Sequence, residues 1–270
     1  MDDRQRSRFV AGATVVLVLA VAWSLASKIA PSAPPRPKTP DSLAAQETAV
    51  AAPPAAAPAQ PGSATQGGDP GASGPSYYDL LARSEMRRRI RASAGVTYLN
   101  EIVAASHDSS LHRWDDRVSN PVRVYMGPST VANFRPAFLD AIRAAFTRWD
   151  AVGLPVRFAF VDSTADPEVR FRWRIQFDTE RTGQTDVMWD ADGRLQTGTI
   201  TIATFDPKGL PLGPDDVRVV ALHEIGHLLG LDHSPDSTDI MYATGGVRDL
   251  SQRDIQTALL LYQLVPGSLK

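Results

Sequence analysis

Between Val220 and Tyr242 the chain sets three histidines and a glutamate at spacings that suit a metal. The run His223-Glu224-Ile225-Gly226-His227 is followed by Gly230 and then His233. On an α-helix, residues four apart share a face, so the imidazoles of His223 and His227 can reach one ion. A ligand at the offset of His233 cannot lie on that face. Gly230 answers the problem, because glycine takes a positive φ at little cost, ends the helix and swings the chain until His233 closes on the same ion. Three neutral imidazoles with a fourth tetrahedral position left for water form the catalytic zinc pattern, one Zn2+ per chain. Glu224 is too short to ligate comfortably and is placed to hold and deprotonate that water. The rival reading makes the histidines solvated or core residues of an amphipathic helix, and it gives Gly230 and His233 no reason to be there.

With Met241 further on, these residues resemble the metzincin metallopeptidases, and within them the matrixins. Ser234 directly follows the third histidine, as in matrixins. Asp239-Ile240-Met241-Tyr242 is similar to their Met-turn, and Leu250–Ile255 followed by Leu261-Tyr262 resembles their closing helix. The likeness runs weakly upstream to about Val122. It implies a zinc-dependent endopeptidase: zinc on His223, His227 and His233 activates water, Glu224 moves the proton as general base, and Met241 packs beneath the metal. It also implies a small lower subdomain after Gly230 and a cleft above it. In that family the edge strand over the cleft holds substrate by β-augmentation, and Ile200–Thr204 is the candidate here. Three departures matter. The chain has no cysteine, so the cysteine switch of many matrixins is absent. Of its five histidines three serve the one site, which argues against a second, structural zinc. Ala243 stands where matrixins usually carry proline, which puts the wall of the specificity pocket in question. Tyr242 adjoins Met241 and reads as packing or pocket wall rather than as a ligand.

The elements that must carry these groups are legible in the periodicity. Pro214 and Asp215 open the active-site helix; its apolar Val219, Val220, Leu222, Ile225, Leu228 and Leu229 nearly encircle it, as suits a helix buried beneath a sheet. Val122–Met126, Val156–Val161 and Val169–Phe177 alternate as strands. Thr199–Thr204 is another, entered through a hairpin turn at Trp189–Gly193. Asn133 predicts a helix cap, Pro136 its first turn, and Phe138, Ile142, Ala145, Phe146 and Trp149 one buried face. Asp254 opens a last helix with Ile255, Leu259 and Tyr262 inward. The expected fold is α+β: a zincin-like catalytic domain over residues 121–270, with a twisted mixed sheet, the active-site helix and a C-terminal helix. Asp190, Asp192 and Gly193 faintly resemble a calcium loop, but turn chemistry explains them better, so Ca2+ is the lesser expectation.

Upstream, composition changes. Residues 1–8 are polar and arginine-bearing and read as a cytoplasmic N-terminus. Phe9–Ser27 carries no charge and is long enough for a transmembrane anchor; Ser24-Leu25-Ala26 keeps a cleaved signal peptide as the rival. The catalytic domain is therefore expected outside the cytoplasm, membrane-anchored by a single pass or secreted. Residues 28–76 hold eleven of the chain's 21 prolines and much alanine, a disordered linker that spaces the domain from the membrane. Residues 77–120 form a helical extension with Arg87, Arg88, Arg89 and Arg91 about its polar face. Three roles compete for it: a pro-segment over the cleft, a packing support, and a basic surface against anionic lipid. His107 or His112 could cap the zinc in a latent form, although both read better as surface histidines. The formal net charge of −2 identifies no partner. The expected partners are a protein or peptide substrate and, through the N-terminal segment, the membrane; nucleic acid is not expected. A zinc-containing peptide-binding module and a self-processing membrane protein are the alternatives to a protease acting in trans.

Overall fold

Successive Cβ atoms of a strand point to opposite faces, which makes alternation its signature. Each of the four alternating stretches in the sequence is a strand in the structure, a computed structural model that describes residues 75–106 and 109–270. The apolar Phe9–Ser27 segment, the linker up to Gly74 and His107 lie outside the described residues. In chain order the elements are α1 (Tyr77–Ala92), α2 (Leu99–Ala105), β1 (Ser110–Leu111), β2 (Arg117–Tyr125), α3 (Ala137–Asp150), β3 (Val156–Val161), β4 (Val169–Arg174), β5 (Gly183–Trp189), β6 (Leu195–Ala203), α4 (Pro214–Leu228), α5 (Gln252–Tyr262) and β7 (Gly267–Ser268). No helix among the described residues is long and apolar enough to cross a membrane.

The fold is α+β, with a mixed five-stranded sheet in the order β3-β2-β4-β6-β5. The first four of these strands pair in parallel and β5 runs antiparallel to β6. β1 and β7 make a separate two-stranded antiparallel pair. Two sequence expectations need correction. Ile200–Thr204 is not at the edge: β6 is hydrogen-bonded to β4 on one side and β5 on the other. The edge strand beside β6 is β5, Gly-Gln-Thr-Asp-Val-Met-Trp, whose mixed composition hides it from an alternation test. Nor does Asn133 cap α3. It takes φ +60, and its amide donates to Thr204 O at 2.7 Å and Leu212 O at 3.2 Å. It therefore ties the loop before α3 to the end of β6 and the approach to α4.

α3 and α4 pack on each other, and α4 lies along β5 and β6. Trp149 fixes the helix pair, its indole N–H donating to Leu222 O at 2.8 Å in the core. The extension enters that same core through Ile90, Tyr98, Leu99, Ile102, Leu111 and Trp114. Each large apolar side chain so buried is worth about 1.5–3 kcal/mol. Most of α1 stays exposed, with only Ile90 buried. Four of its five arginines are engaged: Arg83 and Arg87 donate to the Lys270 and Leu269 carbonyls, Arg89 to the Gln263 side chain, and Arg88 pairs with Glu85.

Candidate active site

The site begins where α4 ends. Leu231 N–H bonds Gly226 O and Gly230 N–H bonds His227 O, both at 3.0 Å, the paired closure of a Schellman motif. Gly230 takes φ +98, and a Cβ there would lie 1.9 Å from the His112 carbonyl oxygen. Only glycine meets both conditions. The turn does two jobs. It redirects the chain toward His233, and it presents Leu231 O to His227.

His223, His227 and His233 come together, with a ligand atom of each within 4.8 Å of the others. His223 Nδ1 lies 2.7 Å from Ile240 O and His227 Nδ1 lies 2.8 Å from Leu231 O. A carbonyl oxygen only accepts, so both Nδ1 atoms carry the proton and both Nε2 atoms present a lone pair. Those two Nε2 atoms face each other at 3.1 Å. Neither can donate to the other, and a shared cation resolves the conflict. Ligand nitrogens at about 2.1 Å from a tetrahedral zinc would stand roughly 3.4 Å apart, close to what is seen. Burial, reinforced by the neighbouring His223, depresses His227 to about 3. Burial likewise lowers His223, against the opposing pull of the Ile240 carbonyl. Both rings are thereby held in the neutral, ligating form. His233 is the outer member, with half its side chain exposed.

Glu224 is on α4, 5% exposed, and faces β5. Its Oε2 accepts the Thr185 hydroxyl at 2.6 Å. Burial raises this carboxyl to about 7, with the Thr185 hydrogen bond pulling the other way. A base poised near neutrality suits proton transfer at ordinary pH. β5 gives it room, since a Cβ on Gly183 would stand 2.3 Å from Glu224 Oε1. Thr185 and Gly183 escaped the sequence reading, because a Thr and a Gly in a strand of irregular pattern carry no signal of what they face.

Met241 is fully buried under α4, and a Cβ on Gly226 would fall 2.2 Å from its sulfur. The turn that carries it is tied down by two buried carboxylates. Asp239 accepts the Ser234 hydroxyl and, at 2.6 Å, that of Ser251. Asp254 accepts Ile240 N–H at 2.9 Å and Met241 N–H at 3.4 Å. Asp254 is also the third residue of α5 and closes a capping box with Ser251. The sequence showed Asp254 as the opening of this helix; its hold on the Met241 turn was not visible there. Tyr242 pairs in a bridge with Ser234. At the far hairpin, Asp190 accepts the backbone N–H groups of Asp192 and Arg194, and Asp192 pairs with Arg194. His112 packs against Trp189, ring centroids 4.1 Å apart and planes tilted by 30°.

A family profile described as Matrixin matches residues 125–263. Among curated proteins, the chain is 35% identical over 133 residues to Metalloendoproteinase 1-MMP of Arabidopsis thaliana, covering 44% of this chain and 36% of that protein. It is 31% identical over 147 residues to Metalloendoproteinase 1 of Glycine max, covering 48% and 47%. It is 36% identical over 102 residues to the Probable matrix metalloproteinase 095L of Invertebrate iridescent virus 3, covering 30% and 27%. The chain spans less than half the length of each of these relatives. The profile covers half of the chain and takes in α4, the three histidines, the Met241 turn and α5: the chain belongs to the Matrixin family.

Proposed function

We propose that this chain is a zinc-dependent endopeptidase, with His223, His227 and His233 as the metal ligands and Glu224 as the general base. The observation that carries the reading is the pair of imidazole lone pairs facing each other at 3.1 Å, each ring locked by a carbonyl. A zinc ion held there supplies Lewis acidity, which acidifies water and polarises a peptide carbonyl. The chain's own groups do the rest. Glu224 takes the proton of the attacking water on a carboxylate oxygen and returns it to the departing amine. Thr185 keeps that carboxylate turned toward the site. Met241 and Gly226 supply a dry floor, which strengthens the electrostatics above them. The open edge of β5 runs beside Glu224 and offers unpaired backbone groups to an extended peptide. The substrate class is thus an extended stretch of protein or peptide. Phe9–Ser27 and residues 28–76 tether or export the domain in this proposal, so its substrates are extracytoplasmic.

The test is cleavage of a mixed peptide library by the purified chain and by Glu224→Ala, with zinc content measured in both. The parent should bind about one zinc and cut; the variant should keep the zinc and not cut. If both bind zinc and neither cuts, the site is either held latent by residues 77–120 or is a binding module, and the endopeptidase reading fails for the chain as it stands.

A further inference from the structure

Asp254 has another donor, and it comes from outside the family-matched residues. Besides the N–H groups of Ile240, Met241 and Ser251, its carboxylate accepts the Tyr98 hydroxyl at 3.0 Å. Tyr98 and Asp254 are both fully buried. Tyr98 immediately precedes α2 and is held firmly: its N–H donates to the Thr257 hydroxyl at 3.1 Å, and the Arg253 guanidinium lies 5.6 Å over its ring. Burial, together with the Asp254 charge and the hydrogen bond to it, pushes the phenol far above its ordinary range. The hydroxyl is therefore a permanent donor.

From that phenol an unbroken line of contacts leads to the metal site. Tyr98 O–H bonds Asp254 Oδ1. Asp254 holds the N–H groups of Ile240 and Met241, and the carbonyl of the Ile240–Met241 peptide receives His223 Nδ1–H. A carboxylate has about four good acceptor positions. Removing one of its donors in a dry interior leaves the charge short of a partner and free to turn. The Ile240–Met241 peptide would turn with it, and so would the ring of His223.

We propose that Tyr98 is a positioning residue for His223, acting through Asp254 and the Ile240–Met241 peptide. The segment ahead of the matched residues is thereby a working part of the site rather than a detachable leader. The proposal rests on the zinc-peptidase reading for its consequence in catalysis, but the contacts it invokes need no metal.

Tyr98→Phe removes one oxygen and keeps the ring. In the metal-free full-length chain, the 1H–15N imidazole spectrum of this variant should show the His223 Nδ1–H resonance shifted or broadened. The His227 resonance, held by Leu231 O, should stay in place. In the loaded chain, competition with a chelator should show zinc bound roughly tenfold more weakly, the lower end for loss of an outer partner. The kcat should fall with KM near the parent value. Asp254→Asn, a second route to the same peptide, should move the same resonance. Thr257→Val, which frees the Tyr98 N–H and leaves the hydroxyl, should lower the melting temperature without moving it. If Tyr98→Phe melts lower yet leaves the His223 resonance and the zinc affinity unchanged, Tyr98 only packs, and the proposal is overturned. If the parent binds no zinc and cuts no peptide while Tyr98→Phe still moves the His223 resonance, the peptidase reading falls and the coupling stands.

Discussion

The Thr185 hydroxyl oxygen lies 2.6 Å from Glu224 Oε2 and 3.0 Å from the Glu224 carbonyl oxygen. This contact joins the edge strand β5 to helix α4, so in the proposed mechanism a peptide docked along β5 would be registered against Glu224, the proposed base. Thr185→Val keeps the side-chain shape and removes the donor. A hydrogen bond to a charged group is worth about 1.5–3 kcal/mol, so kcat should fall by roughly tenfold or more while zinc content is unchanged. Steady-state kinetics beside metal analysis measures this. A kcat equal to the parent's would show that Glu224 needs no orienting partner.

Glu224 also sets a pH dependence of stability in the metal-free protein. Burial raises its pKa from 4.5 to about 7, so the folded state holds a proton that the unfolded state releases. The carboxyl therefore costs stability progressively as pH rises from 4.5 to 7, and the full penalty stands above 7. Glu224→Gln should stabilise the metal-free chain by about 3 kcal/mol at pH 8, the difference vanishing below about pH 4.5. Thermal melts of both proteins with a chelator present, across that range, read the sign directly.

Gly230→Ala tests the turn that delivers His233. An alanine would be strained at φ +98, and its methyl would meet the backbone oxygen of His112 at 1.9 Å. The combined cost is at least about 2 kcal/mol, or roughly 5 °C in melting temperature. Zinc affinity should fall as well, because Leu231 O moves away from His227. A variant that melts like the parent would mean that the turn has a second conformation open to it.

Acid stability should depend on Glu168. Its side chain is mostly buried, which raises its pKa, but the Arg123 N–H and the Arg117 guanidinium outweigh that and hold it below its ordinary value. A depressed carboxyl stabilises the fold above its unfolded pKa and stops doing so as pH falls through its folded value. Glu168→Gln should cost roughly 1–2 kcal/mol at pH 7 and little below pH 3. Melts of the two chains at both pH values make the comparison. A constant difference would assign the effect to packing of β2 against β4.

Much of this protein can be read before folding because some of its chemistry is local. The spacing His223–His227 becomes a shared face by helix geometry alone, and Gly230 takes its positive φ for reasons internal to one turn. The strands β2, β3, β4 and β6 announced themselves by alternation, since each has one side against the core. What remained hidden depends on contacts between distant segments. No pattern in Gly183–Trp189 says that it pairs outside β6, because none of its residues is fully buried and neither face has to be apolar. Nothing about a lone Thr185 says that it faces Glu224. Asn133, with the composition of a helix cap, bonds instead to carbonyls 71 and 79 residues away. Asp254 was legible as a helix start, yet its grip on Ile240, Met241 and Tyr98 exists only once α5, the Met241 turn and the residues before α2 share one buried space. Helix periodicity and turn strain act over a few residues and are written in the chain. Burial, lone-pair direction and hydrogen-bond partnership across the fold arise only when packing has brought those residues together.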